Sequence, residues 1–160
     1  MKVFTPEEVE RKRKEFEGLA LDKVSASVGG IKFDYFVLPA SANEELPLFV
    51  ERAIGKPGEP SAFAISEEVP KILRPYWVAH EVVEFLHLAS LPYGRCYNAL
   101  NWEMGVLRGK LYKNHVSLRE RFFSGLVSYA SKHPESFTPI DVREMQTSFD
   151  TLRQMNRWMK

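Results

Sequence analysis

The chain has 160 residues, 44% hydrophobic and 27% charged, a balance that lets one hydrophobic core form without disulfides or metal clips. A formal net charge of +1 argues neither for nucleic acid nor for an acidic partner, and no nucleic-acid partner is expected. The single cysteine, Cys96, excludes an intramolecular disulfide and a cysteine-based zinc cluster. With no signal-peptide core and no membrane-length apolar run, one cytoplasmic domain over residues 1–160 is expected.

Thr5-Pro6-Glu7-Glu8 is a helix start: Thr5 caps, Pro6 suits the first helical position, and Glu8 closes a capping box. A charged helix is expected to run to about Asp22, with a thin apolar stripe of Val9, Phe16 and Leu19-Ala20. Its Arg11-Lys12-Arg13-Lys14 run is flanked by glutamates, which predicts a solvated face with i,i+4 pairs rather than a binding patch. Residues 23–39 alternate between apolar and polar around Gly29-Gly30 and read as a hairpin. Ile31, Phe33, Tyr35 and Val37 share one face of its second strand.

Asn43 and the following EELPLFVERAIG predict a short capped helix, GKPGEPS a loop, and Ala62 to Ser66 a short strand. Arg74-Pro75 opens a helix that should end near Leu91, because Pro92 and Gly94 follow. Further helices are expected over roughly 95–112, 116–132 and 139–158, the last started by Thr138-Pro139 with Asp141 at its third position. The fold class is α+β: a small antiparallel sheet, made of the hairpin and a short strand, packed on a mainly helical C-terminal half.

The chemistry concentrates in WVAHEVVEFLHL, Trp77 to Leu88. At about 100° per residue, His80, Glu84 and His87 fall in a sector of roughly 60°, with Val78, Val82, Phe85, Leu86 and Ala89 opposite. No Lys or Arg occurs between Tyr76 and Leu91, so the stripe differs from the solvated first helix and reads as enclosed. Enclosed carboxylates require an arginine or lysine from elsewhere, a protonated histidine or a metal, because an unpaired buried charge is costly. Four residues apart, His80 and Glu84 can converge on one ion, and Glu84 and His87, three apart, can do the same. His80 and His87 lie about 10.5 Å apart along a straight helix, which leaves His87 as a supporting, alternative or second-metal ligand.

HEVVE resembles the HExxH helix of zincin metallopeptidases, with Glu84 standing where the second histidine belongs. The resemblance implies His80 as first ligand and Glu81 as general base. In the gluzincin branch a third ligand comes from a glutamate on a following helix, and the matching spacing lands on Glu103. A His80/Glu84/Glu103 set implies a divalent ion, Zn²⁺ first, with Mn²⁺ or Fe²⁺ suited to its oxygen-rich character. The implied activity is metal-dependent hydrolysis of an amide or similar carbonyl in a peptide or small-molecule substrate. Arg95, Tyr97 and Asn101 are candidates for binding that substrate. The match covers about a sixth of the chain.

Other readings stand beside this one. Without metal, the stripe is structural, with His80, Glu84 and His87 bonded to one another and to Arg95 or Arg108. Alternatively, Glu84-x-x-His87 is half of a di-iron site, completed only in a symmetric dimer because no second Glu-x-x-His occurs. A third reading is a non-catalytic interaction domain built on the aromatic-rich helical half. Cys96 reads as a buried thiol, and His115 and His133 as capping or solvent-exposed groups. The oligomeric state is left open.

Overall fold

A computed structural model of the chain describes residues 2–107 and 111–159. Arg108, one of the expected partners of the motif, lies outside the described residues. Backbone contacts divide the chain into two units, residues 1–89 and 90–160.

The first unit begins with α1 (Pro6–Leu19), whose capping box joins Thr5 and Glu8 as its sequence predicts. Val9 and Phe16 are buried, while Leu19, expected in the same stripe, is exposed because the helix stops there. The hairpin follows as β1 (Asp22–Val28) and β2 (Ile31–Leu38), with Gly29 and Gly30 at φ of 56° and 82°. Positive φ at both central residues gives the turn a twist that matches the strands.

Residues 43–55 depart from expectation. In place of a capped helix, a 3-10 turn at Ala40–Asn43 leads to β3 (Val50–Ala53). Leu48 enters this strand at a left-handed φ of 63°, a strained setting for a leucine. Burial of its side chain and donation of its N–H to Glu68 Oε1 at 3.3 Å hold it there. Sheet pairing here overrides local helix signals.

With β4 (Ala62–Ser66) the sheet has order β1-β2-β4-β3. It is mixed rather than antiparallel: β2 and β4 run parallel, and the other two pairings are antiparallel. Directly paired residues point to the same side, so Phe36, Ala64 and Glu51 share one face, and Val37, Ile65 and Val50 the other. Phe16 of α1 packs against Phe36, which places α1 on the first face. On the second face lies α2 (Arg74–Val82), met by Arg52 of β3. Covered on both sides, central β4 is buried along all five residues, which accounts for its apolar AFAIS sequence. Tyr35, buried in the same sheet, has its phenol pKa raised by that burial.

The second unit consists of α3 (Arg95–Val106), α4 (Leu111–Lys132) and α5 (Pro139–Trp158). Thr138 and Asp141 form the expected capping box. Ser117 near the start of α4 bonds Asn156 near the end of α5, so the two helices run antiparallel. Phe122, Phe123, Ala130 and Leu152 are buried in this unit, whereas Leu126 and Val127, on the same helical spacing as the α4 residues, are half-buried. The α+β class therefore holds, with the sheet confined to the first unit.

Candidate metal centre

The motif helix is buried where the missing Lys and Arg predict. Trp77 through Val82 are all buried, and His80 is only 2% exposed. Arg74 secures the helix start by donating from Nε to Val69 O at 2.8 Å and from Nη2 to Glu67 O at 2.9 Å. One turn further along, His80 Nε2 and Glu84 Oε1 lie 3.1 Å apart. As a hydrogen bond, this contact has the imidazole N–H donating to the carboxylate. It is also close to the separation of about 3.3 Å between two ligand atoms each about 2.0–2.1 Å from one tetrahedral ion. The donor pair therefore fits a small divalent cation, provided the imidazole carries its proton on Nδ1.

The helix does not run regularly to Leu91. From Val83 to His87 it widens into a π turn, closed by Leu88 N–H donating to Val83 O at 2.8 Å. Such single π turns recur at functional sites. Here the wider turn moves His87 off the stripe that regular helical spacing assigns to it, and both Leu86 and His87 are exposed. Glu84, on the rim, is partly buried.

Glu81 is turned toward the sheet. Its Oε2 lies 3.6 Å from Nη1 of Arg52, whose guanidinium also stacks over the Phe85 ring at 4.0 Å. The carboxylate next to the candidate ligands thus has a fixed counter-charge from β3. The sequence does not single out Arg52, because the local signals of residues 44–55 predict a helix where β3 forms. On a strand, its alternation with Val50 points it at the face that α2 covers.

In the second unit Glu103 is fully buried and held within that unit. Arg119 donates to it from Nε at 2.8 Å and from Nη2 at 2.7 Å, and His115 Nε2 contacts Oε2. The expectation of an exposed or capping His115 is corrected: it is inaccessible, on the inward face of α4. A usable signal was present in sequence. His115 and Arg119 are four apart on a stripe continued by Val116, Phe122 and Phe123, and a cation among such residues calls for a buried anion.

Of the remaining candidates, Arg95 is half-buried, and Tyr97 and Asn101 are exposed on α3. Cys96 is buried, as expected, with Sγ 3.3 Å from Ser148 Oγ. His133, at the end of α4, contacts Glu135 at 3.0 Å. Among the described residues no helix is long and apolar enough to cross a membrane.

No family model matches the chain, and neither the curated proteins nor the solved structures contain a match to it.

Proposed function

We propose that this chain is a metal-dependent hydrolase in which His80 and Glu84 hold a divalent ion and Glu81 is the proton acceptor beside it. The observation that carries this reading is the pair of buried His80 and partly buried Glu84, whose donor atoms are 3.1 Å apart in a stretch, Tyr76 to Leu91, without Lys or Arg. The ion would supply Lewis acidity toward a carbonyl and would acidify water. The chain's own part is to orient the imidazole, keep the helix face dry and hold a second carboxylate, Glu81, one residue away. Arg52 stacks on Phe85 and fixes Glu81 from the sheet side.

Glu103 leaves the ligand set in this reading, since both of its oxygens serve Arg119 and His115. Two protein ligands with water in the remaining positions suit Mn²⁺ as well as Zn²⁺. Peptides and small carbonyl compounds remain the proposed substrate classes, and a reducing cytoplasm the proposed setting for the lone buried thiol.

The second reading, a structural stripe in a non-catalytic domain, is favoured by one specific observation: Arg52 and Arg119 satisfy Glu81 and Glu103 without any ion. Elemental analysis of protein purified without a metal-affinity tag separates the two. The metal reading expects one ion per chain, lost in His80→Ala. Glu81→Gln keeps the ion but loses turnover on a peptide library. Equal, sub-stoichiometric metal in wild type and His80→Ala, with a melting temperature indifferent to chelator, would leave the structural reading in place.

A further inference from the structure

Whole-chain neutrality conceals a division of charge. Residues 90–160 carry eleven Lys and Arg against six Asp and Glu, whereas residues 1–89 carry eleven against fifteen. All six acids of the second unit are engaged within it. Glu103 holds Arg119, Glu120 accepts from Asn156, Glu135 contacts His133, and Asp141 closes the α5 cap. Glu144 accepts from the Gly94 N–H at 2.5 Å, and Asp150 from Gln146 at 3.0 Å.

The exposed cations stand apart from those acids. Lys113, Arg121 and Lys132 on α4, and Arg143, Arg153 and Arg157 on α5, are all exposed. Among the described residues none of them forms an ion pair, and Arg153 lies over the Phe149 ring at 5.4 Å. The solvated face of α1 is the contrast within the same chain. There Arg13 bonds Glu10 and Glu17, each at 2.7 Å, and Lys12 pairs with Glu15 at 3.2 Å. A helix face that serves only solubility interleaves both signs, as α1 does.

At about 100° per residue, Lys113, Arg121 and Lys132 fall in one sector of roughly 100° with the exposed Ser124, Ser128 and Ser131. That sector contains no acid, no aromatic ring and no large apolar side chain. Cations interleaved with hydroxyl donors are the side chains that contact phosphate and sugar. A helix that lies on a lipid surface needs an apolar face to bury, which this sector lacks. Binding to single strands draws on aromatic stacking platforms, also missing here.

We propose that the exposed face of α4 binds the phosphate backbone of double-stranded nucleic acid without reading its sequence. This inference stands on the second unit alone and does not depend on the metal reading. The test uses the full chain and a fluorescent duplex of about 20 base pairs of arbitrary sequence, followed by anisotropy. Three phosphate contacts predict an affinity about 40-fold weaker at 200 mM than at 50 mM NaCl. Replacing Lys113, Arg121 and Lys132 together by glutamine should weaken binding at 50 mM NaCl at least about tenfold and flatten the salt dependence. The α1 control, Arg11→Gln with Lys14→Gln, should bind like wild type. Circular dichroism should show unchanged helix in each, since all five positions are exposed. No binding at 50 mM NaCl, or equal binding by the triple variant, overturns the proposal. So does tighter binding to a single strand of the same length, or to phosphatidylserine vesicles.

Discussion

Arg119 grips Glu103 through two parallel hydrogen bonds, Nε to Oε2 at 2.8 Å and Nη2 to Oε1 at 2.7 Å, with neither side chain exposed. This fork-on-carboxylate pairing, joined by His115 at Oε2, neutralises an acid and an arginine inside a helical unit. Removing one partner strands the other: Arg119→Met should destabilise the second unit by about 3–5 kcal/mol. Adding Glu103→Leu should recover part of that loss, because it removes the stranded carboxylate while taking a partner from buried His115. Urea denaturation monitored at the helical signal measures both. Equal stability of Arg119→Met and wild type would show that this pair is not the anchor of the unit.

Arg52 is about a third exposed, so its pair with Glu81 is worth less than a fully buried one. Arg52→Leu should cost about 1–2 kcal/mol. A double-mutant cycle with Glu81→Gln should return a coupling of about 1 kcal/mol, which vanishes if the 3.6 Å contact is incidental.

Glu84 and His87 are predicted to separate cleanly. Glu84 shares its helix turn with His80, whereas the π turn carries His87 to the exposed side. Calorimetric titration with Zn²⁺ or Mn²⁺ should show Glu84→Ala losing at least about tenfold in affinity. His87→Ala should stay within about threefold, short of what even an outer-shell partner contributes. A large loss in His87→Ala would mean that the turn rewinds to a regular helix when metal binds.

Two glycines are required for different reasons. Gly30 sits at φ 82° in open space, so Gly30→Ala meets only backbone strain and should cost about 1–2 kcal/mol. At Gly55 a β-carbon would overlap the Pro60 carbonyl oxygen, and its N–H already donates to Ser61 Oγ at 2.9 Å. Gly55→Ala therefore forces the loop before β4 to move and should be the more damaging of the two by thermal melting.

Features set by neighbours in sequence could be read from the sequence itself. Both Thr-Pro helix starts, the Gly29-Gly30 hairpin, the β4 strand and the closing helices rest on caps, positive-φ turns and periodicity that act within a few residues. The enclosure of His80 is legible too, because no Lys or Arg between Tyr76 and Leu91 offers a long charged chain to water, but His87 of the same expected stripe is exposed. Only tertiary structure decided the rest. Residues 50–53 became a strand because β4 offered a hydrogen-bonding edge, and this turned Arg52 toward Glu81. Likewise, Glu103 met Arg119 and His115 because α3 and α4 both pack on α5, which the spacing of His115 and Arg119 along α4 does not determine. Ion pairing depends on distance in space and on local dielectric, and neither quantity is written in the order of the residues.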